Sequence, residues 1–343
     1  MIILMKNTPE ATPSHPLSNK GSESDKKKML IGKLKNKSIT TNDVKLSVDG
    51  ITTNWLLKGS DEIVSLLLLY DYYSDKHDQT VVCYEKNTEY GKQKRIRVKL
   101  DAKGNYLYIA LMPSINKGEL ILHIQFNPSK LSKSGMRKMG DFISEIIPES
   151  NCGGLYRYLH EATISRVDFA YDVPDAAAHY FFKLRYAKKQ TDYESSNYLG
   201  SNLSTFQALI YDKKEHLESI GIQCAYDTLT RIEIRVRDKM PLLDLYNFDL
   251  SGLQKRLLVV PIDRLKKECS HLLPAHVVQS VANHDYSALL SLSAYCKRQL
   301  NKVLVAHQAQ WWTDHQHHQN KFNELMEVFY TQTFLFHLKG AAA

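Results

Sequence analysis

The chain has 343 residues, 43% apolar and 24% charged, with 45 Lys and Arg against 37 Asp and Glu, a net charge of +8 and a pI near 9.0. That length suffices for one large domain or two ordinary ones. No apolar run approaches the roughly 20 residues of a membrane helix, and the surplus of cations favours an anionic partner. The five cysteines, Cys83, Cys152, Cys224, Cys269 and Cys296, are scattered and lack CxxC spacing, which argues against both a disulfide framework and a zinc site.

Met1 to Met5 is too short an apolar run for a signal-peptide core, and polar, Pro-containing sequence follows, so a cytoplasmic protein with no membrane association is expected. Residues 1–40 are predicted to be a disordered basic tail, with Lys26, Lys27 and Lys28 followed by Lys33, Lys35 and Lys37. Such a tail can lie on phosphates or simply solubilise. From Val44 to Asp49 the alternation of a strand begins, and residues 61–73 carry an apolar patch that predicts a helix packed on a sheet. Residues 94–100 place Arg95, Arg97 and Lys99 on one strand face with Ile96, Val98 and Leu100 behind. This basic ribbon can follow a phosphate backbone or protect a sheet edge. Another strand is predicted over residues 106–112.

Residues 118–127 alternate with His123, Gln125 and Asn127 opposite Leu122, Ile124 and Phe126. Pro128 stops that strand, and Ser129 or Ser132 can cap a helix running to about residue 147. The chain returns as a strand over residues 163–173, with Val167, Phe169 and Tyr171 on one face and Arg166, Asp168 and Asp172 on the other. A strand, helix and strand of this length form a crossover unit that can place both strands in one sheet. Acids are depleted in strands, so the pair on one face suggests a divalent metal site; the alternative is a solvated face with an Arg166 ion pair.

A helix is expected over residues 174–189, a strand at 197–201 and another at 206–212. The most regular alternation is at residues 228–238, where Arg231, Glu233, Arg235 and Arg237 oppose Ile232, Ile234 and Val236. From residue 240 the pattern turns helical, with helices predicted at 253–260, 274–282, 286–309 and 318–338. Trp311, Trp312 and the histidines His315, His317 and His318 fall between two of these and read as a solvated polar connection. The expected fold class is therefore α+β, with antiparallel or mixed sheets and packed helices over 41–250 and a helical region over 251–343.

Tyr211, followed by Asp212, Lys213 and Lys214, completes the chemistry. A phenol is a poor nucleophile at its ordinary pKa of about 10, and becomes useful when a lysine or a metal stabilises the phenolate. A Tyr-X-Lys triplet means little alone in a chain with 20 tyrosines. With an acid-lined sheet face and a basic chain, it fits a nuclease that joins DNA to tyrosine.

The ordered set of residues 44–49, 124–131, 165–172, 198–201, 210–214 and 230–235 resembles the trans-acting rolling-circle replication initiator family, which includes initiators of small plasmids, filamentous-phage replication proteins and some relaxases. The resemblance covers residues 44–260. It implies a replication-initiator nuclease fold and a metal-dependent DNA nickase in which Tyr211 takes the 5′ phosphate and releases a 3′ hydroxyl. It further implies a Mg2+ or Mn2+ cofactor held by Asp168, Glu233, Asp172 and His123, with Lys213 or Lys214 stabilising phenolate or phosphate charge. Arg95, Arg97, Arg231 and Arg235 would hold DNA backbone. The implied partners are plasmid or phage origin DNA, single-stranded at the nick, a second copy of the chain and a host helicase, with origin recognition or dimerisation assigned to the helical region. Gln125 stands where relatives carry glutamate, and His123 can compensate. A relaxase, or a non-catalytic DNA-binding regulator on the same scaffold, is the alternative.

Overall fold

The computed structural model describes residues 39–335, apart from the short stretches 77–78, 89–90, 115–118, 147–153, 186–189, 194–195, 284–288 and 290–291. The expected tail lies outside the described residues up to residue 38. The fold is mixed α+β, built on one large antiparallel sheet.

In chain order the elements are β1 (Lys45–Leu57), α1 (Ser60–Asp75), β2 (Val81–Thr88), β3 (Gly91–Lys99), β4 (Tyr106–Pro113), β5 (Leu120–Phe126), α2 (Lys133–Ile146), α3 (Gly154–Glu161) and β6 (Thr163–Pro174). There follow α4 (Ala176–His179), β7 (Tyr180–Leu184), β8 (Gln190–Tyr193), β9 (Ser196–Leu199), β10 (Phe206–Asp212), α5 (Lys213–Ser219), β11 (Leu229–Val236) and β12 (Met240–Pro241). The chain continues through α6 (Ser251–Arg256), β13 (Leu257–Pro261), α7 (Ile262–Cys269), α8 (Ala275–Ala282), α9 (Ala294–Ala306), α10 (Gln310–Thr313) and α11 (His315–Tyr330).

The sheet runs β2-β3-β4-β5-β1-β6-β11-β10-β9-β8, with β12 added to β6. The crossover from β5 through α2 and α3 to β6 does place both strands in one sheet, but β1 lies between them and pairs antiparallel with each. Alternation decides which face is dry. Ile51 and Trp55 of β1, Ile124 and Phe126 of β5, Phe169 and Tyr171 of β6 and Ile232 and Ile234 of β11 are all buried. Helices close over that face with Met139 and Ile143 of α2, Tyr158 of α3 and Phe322, Met326 and Phe329 of α11. Phe126 stacks on Phe329 at 5.6 Å between ring centroids, Phe169 on Phe248 at 5.2 Å, and Tyr171 meets Trp312 edge-on at 5.0 Å. With one face filled this way, the polar side chains of the same strands have only the opposite face to occupy.

The expected helix at 174–189 ends after one turn, and Tyr180–Leu184 becomes strand β7, paired with β13. Consecutive Phe181 and Phe182 are both buried, which a strand between two cores allows because neighbouring side chains point to opposite sides. The helix expected at 253–260 likewise stops at Arg256, and Leu257 to Val260 form β13. Phe182, Leu184, Leu257 and Val259 enter the main core. Phe181, Leu258 and Val260 enter a second, smaller core with Leu265 of α7, Val277 of α8 and Leu300 and Leu304 of α9. Beyond it, Trp311 and Trp312 rejoin the main core. Among the described residues no helix is long and apolar enough to cross a membrane.

The histidine run is not a solvated connection. Asp314 caps α11 by accepting from the His317 backbone N–H at 3.2 Å, and His318 is 1% exposed with Nε2 2.7 Å from the Trp311 carbonyl. Burial lowers the pKa of His318 below its ordinary value. As pH falls below about 6.5 the unfolded chain therefore binds the proton first. Stability contributed by neutral His318 is complete above that pH and declines as pH falls toward the folded value. Urea unfolding followed by tryptophan fluorescence is expected to show this acid-side loss, at most about 1.4 kcal/mol per pH unit for one proton. His318→Gln, which keeps a donor to Trp311, should flatten it, and an unchanged slope would assign the loss to other groups.

Candidate active site on the polar face of the sheet

Register places the chemistry-bearing residues. Asp172 of β6 lies opposite Arg231 of β11, which lies opposite Tyr211 of β10, so these three form one row across three strands. Glu233 lies opposite Ala170, and Arg235 opposite Asp168, in the next two rows. On the other side, Lys45, Ser47, Gly50 and Thr52 of β1 pair with Asp172, Ala170, Asp168 and Arg166. Gln125 and His123 of β5 pair with Thr52 and Asn54, and beyond them Arg97 and Arg95 of β3 pair with Tyr108 and Ala110 of β4. Cross-strand partners share a face. Every residue singled out on these strands thus stands on the face that the helices leave uncovered.

The shared face resolves into tight ion pairs. Arg231, 8% exposed, donates from Nε and Nη2 to the two carboxylate oxygens of Asp172 at 2.5 and 2.6 Å, and from Nη1 to Asp49. Burial alone would lower the Arg231 pKa, but Asp172 and Asp49 hold it well above its ordinary value. Asp49 stands beside a β-bulge, where the β1–β6 register shifts between Val48 and Gly50. Arg166 makes a fork with Asp168, Nε to Oδ1 at 2.8 Å and Nη2 to Oδ2 at 2.5 Å. A Cβ on Gly50 would lie 3.1 Å from Asp168 Oδ2, so a glycine at this register position lets the carboxylate sit against the β1 backbone. Arg235 Nε donates to Glu233 at 2.7 Å.

A hard cation such as Mg2+ or Mn2+ needs several oxygen ligands turned to one point. Among the described residues no group of three or more His, Cys, Asp or Glu side chains is so arranged. Asp168, Asp172 and Glu233 each turn to a guanidinium, and His123 is on β5, two strands from Asp168, with Nδ1 2.8 Å from Asn54 Oδ1. These residues share a face but not a coordination point. As they stand they do not fit the metal.

Tyr211 is the penultimate residue of β10 and is half-buried. Burial pushes its pKa up to about 12, against the pull of the Arg231 charge and with the push of Glu233, Asp49 and Asp172. Asp212 caps α5, accepting from the Glu215 N–H at 3.1 Å, so the chain turns sharply after the tyrosine. Lys213 and His216, three apart on α5, fall on one side of it. The His216 ring stands perpendicular to the Tyr211 ring at 6.1 Å. Burial, then the charges of Lys213, Arg231 and Lys130, hold His216 below its ordinary pKa, and burial with Arg231 lowers that of Lys213. Lys214 instead donates to the Asp227 carbonyl at 3.1 Å and lies 3.8 Å from Glu218.

Thus Tyr211, Lys213, Asp172 and Arg231 come together, with Asp168, Glu233, Arg166 and Arg235 beside them. His123, Arg95 and Arg97 lie farther along the face. Arg231 is spent on Asp172 and Asp49 and is buried, which suits it to shaping the site rather than gripping a DNA backbone. Sequence reasoning assigned no role to Asp49, Lys130 or His216. Asp49 ends the alternation of Lys45 and Ser47, and Lys130 follows Asn127, Pro128 and Ser129, but nothing local pointed to His216.

In comparisons with known proteins, no family model and no curated protein matches the chain.

Removing one partner of a buried ion pair leaves the other charge uncompensated, at a cost of about 3–5 kcal/mol. Arg231→Met is therefore expected to lower unfolding free energy in urea by roughly that amount. Adding Asp172→Asn should restore part of the loss. A change within about 0.5 kcal/mol for the single variant would show that Asp49 and Asp172 are solvated rather than held by the fork.

Proposed function

We propose that this chain is a DNA strand nickase of the rolling-circle initiator type, with Tyr211 as nucleophile. The observation that carries the reading is the place of the Tyr211 phenol on the polar face, opposite Arg231 and edge-on to the His216 ring, with Lys213 opening the helix that follows it and Lys130 close enough to act on both Lys213 and His216. Lys213 and Lys130 draw the scissile phosphate in and offset the charge that grows on it during displacement. His216 is a neutral imidazole at physiological pH because its pKa lies below the ordinary value, and it accepts the phenolic proton. The tyrosine oxygen forms a bond to phosphorus as the bond from phosphorus to the 3′ oxygen breaks. The strand keeps its 5′ phosphate on Tyr211, and the 3′ oxygen takes a proton and leaves as a hydroxyl that a polymerase can extend. One phosphodiester replaces another, so the reverse step reseals the strand.

The regulator reading is favoured by two observations: Gln125 stands exposed on the face in place of a carboxylate, and the nearby acids are already paired with arginines. A supercoiled-plasmid assay with Mg2+ or Mn2+ present separates the two. The wild-type chain should convert an origin plasmid to the nicked form, and Tyr211→Phe should abolish conversion while origin binding persists. Full nicking by Tyr211→Phe would remove Tyr211 from the role, and no nicking by either would favour the regulator.

The pH dependence follows from the two shifts. With His216 as base, the rate rises as the imidazole loses its proton, below its ordinary value near 6.5, and levels above. In His216→Ala the phenolate must form unaided from a group with a pKa of about 12. Its rate should then climb about tenfold per pH unit through pH 7 to 9. A plateau in both proteins would remove the base role from His216.

A further inference from the structure

At the far end of the same face, β2, β3 and β4 carry a second, distinct surface. Arg95 lies opposite Tyr84, Arg97 opposite Tyr108, and Lys99 opposite Tyr106. Tyr84 is 38% and Tyr108 40% exposed. The Arg97 guanidinium lies 4.8 Å over the Tyr106 ring, whose centroid is 6.0 Å from that of Tyr108. By register the paired positions of these three strands that share the face of Tyr84, Arg95, Arg97, Tyr106 and Tyr108 include no acid. Glu85 points to the other side, where it pairs with Lys92 at 3.3 Å.

Two features are unexplained by folding alone. The Nε groups of Arg95 and Arg97 are buried without a hydrogen-bond partner, although Arg95 Nη2 donates to Gln93 at 3.1 Å. A buried unsatisfied donor costs about 1–3 kcal/mol, and a phosphate oxygen that draws the guanidinium outward would relieve it. Secondly, β2 is the edge strand of the sheet, and edges are ordinarily blunted by charge. Here Glu85 and Lys86 supply such charge, yet Val82 and Tyr84 are also left exposed beside them.

From this geometry we infer that the β2–β4 face binds single-stranded DNA, stacking bases on Tyr84 and Tyr108 while Arg95 and Arg97 take phosphates. Aromatic rings interleaved with cations are the general means of holding an unpaired strand without reading its sequence. From β3 to β10 the sheet steps across six strand spacings, roughly 30 Å. A strand seated on the tyrosines can therefore run along the polar face, past His123 and Gln125, to Tyr211. The choice of DNA rests on the nickase reading, and the stacking does not.

The test is fluorescence anisotropy with labelled oligo(dT) of about 16 nucleotides, on a Tyr211→Phe background that cannot cleave. Tyr84→Ala and Tyr108→Ala should each weaken binding about five- to 150-fold. Tyr84→Phe and Tyr108→Phe, which keep the ring, should bind like the parent. Arg95→Gln and Arg97→Gln should each reduce the slope of log affinity against log salt by about 0.7. Unchanged affinity of both alanine variants, or a blunt duplex of equal length bound as tightly as oligo(dT), overturns the proposal. Tighter binding of oligo(rU) overturns the assignment to DNA. Oligo(dT) has no origin, so the two readings fail separately. A wild-type chain that never nicks but holds oligo(dT) through Tyr84 and Tyr108 loses only the nickase. One that nicks while the alanine variants bind undiminished loses only the stacking face.

Discussion

The Arg231 guanidinium is the tie on which the polar face depends. It stands on β11, clasps Asp172 on β6 and reaches Asp49 on β1, so one side chain joins three adjacent strands on the side opposite the helices. A planar guanidinium can grip one carboxylate with two parallel donors and keep a third for another, a geometry that the compact ammonium of a lysine does not offer. The bulge between Val48 and Gly50 belongs to the same arrangement: it breaks the β1 register beside Asp49 and brings a residue without a side chain against Asp168. Two acids and an arginine at these depths would be costly singly, and they persist because each satisfies the others.

This neutralisation leaves Tyr211 in an unusual balance. Burial raises its pKa, the nearby acids add to that, and the one arginine opposing them is already committed to Asp172 and Asp49. A phenol so placed is protonated at neutral pH, and an approaching phosphate, itself an anion, holds it more firmly so. The cations with charge to spare are Lys213 and Lys130, which approach from α5 and from the turn after β5 rather than from the sheet itself. Under the proposed nickase reading the phenolic proton must therefore be taken by a base, and the neutral His216 is the group placed beside the ring.

The division between what was legible in the sequence and what was not has a physical origin. Residues 163–173 and 228–238 could be read by eye because one side of each strand meets a dry core, which enforces a period of two. The same alternation put Asp168 and Asp172 on the polar face of one strand and Arg231 and Glu233 on that of another, but the mixed run that ends in Tyr211 carried no such signal. Alternation could not reveal β7 or β13, since Phe181 and Phe182 are both buried, in separate cores, and a strand buried on both sides loses its alternation. Nor does alternation say where a carboxylate turns. Asp168 turns to Arg166 and Glu233 to Arg235, each two residues away along its own strand, so the acids that seemed to await a metal are matched locally. The Arg166 pair was visible in the sequence as the plainer alternative. The approach of His216 to Tyr211 depends on the turn that the Asp212 cap imposes, and no periodicity encodes it.

Charge is distributed unevenly along the face, and that unevenness has a direction. Around β6 and β11 each arginine that pairs does so with an acid, and the local field is spent on holding strands together. Toward β2 the acids disappear from the face while arginines and tyrosines continue. The Arg95 charge reaches as far as His123, where together with burial it keeps the imidazole below its ordinary pKa. A polyanion approaching this sheet thus meets its strongest attraction away from Tyr211 and a compensated region beside it. Under the proposed nickase reading, a grip far from Tyr211 would hold the strand through cleavage, while weaker binding in the compensated region beside the phenol would let the covalent joint form and reverse.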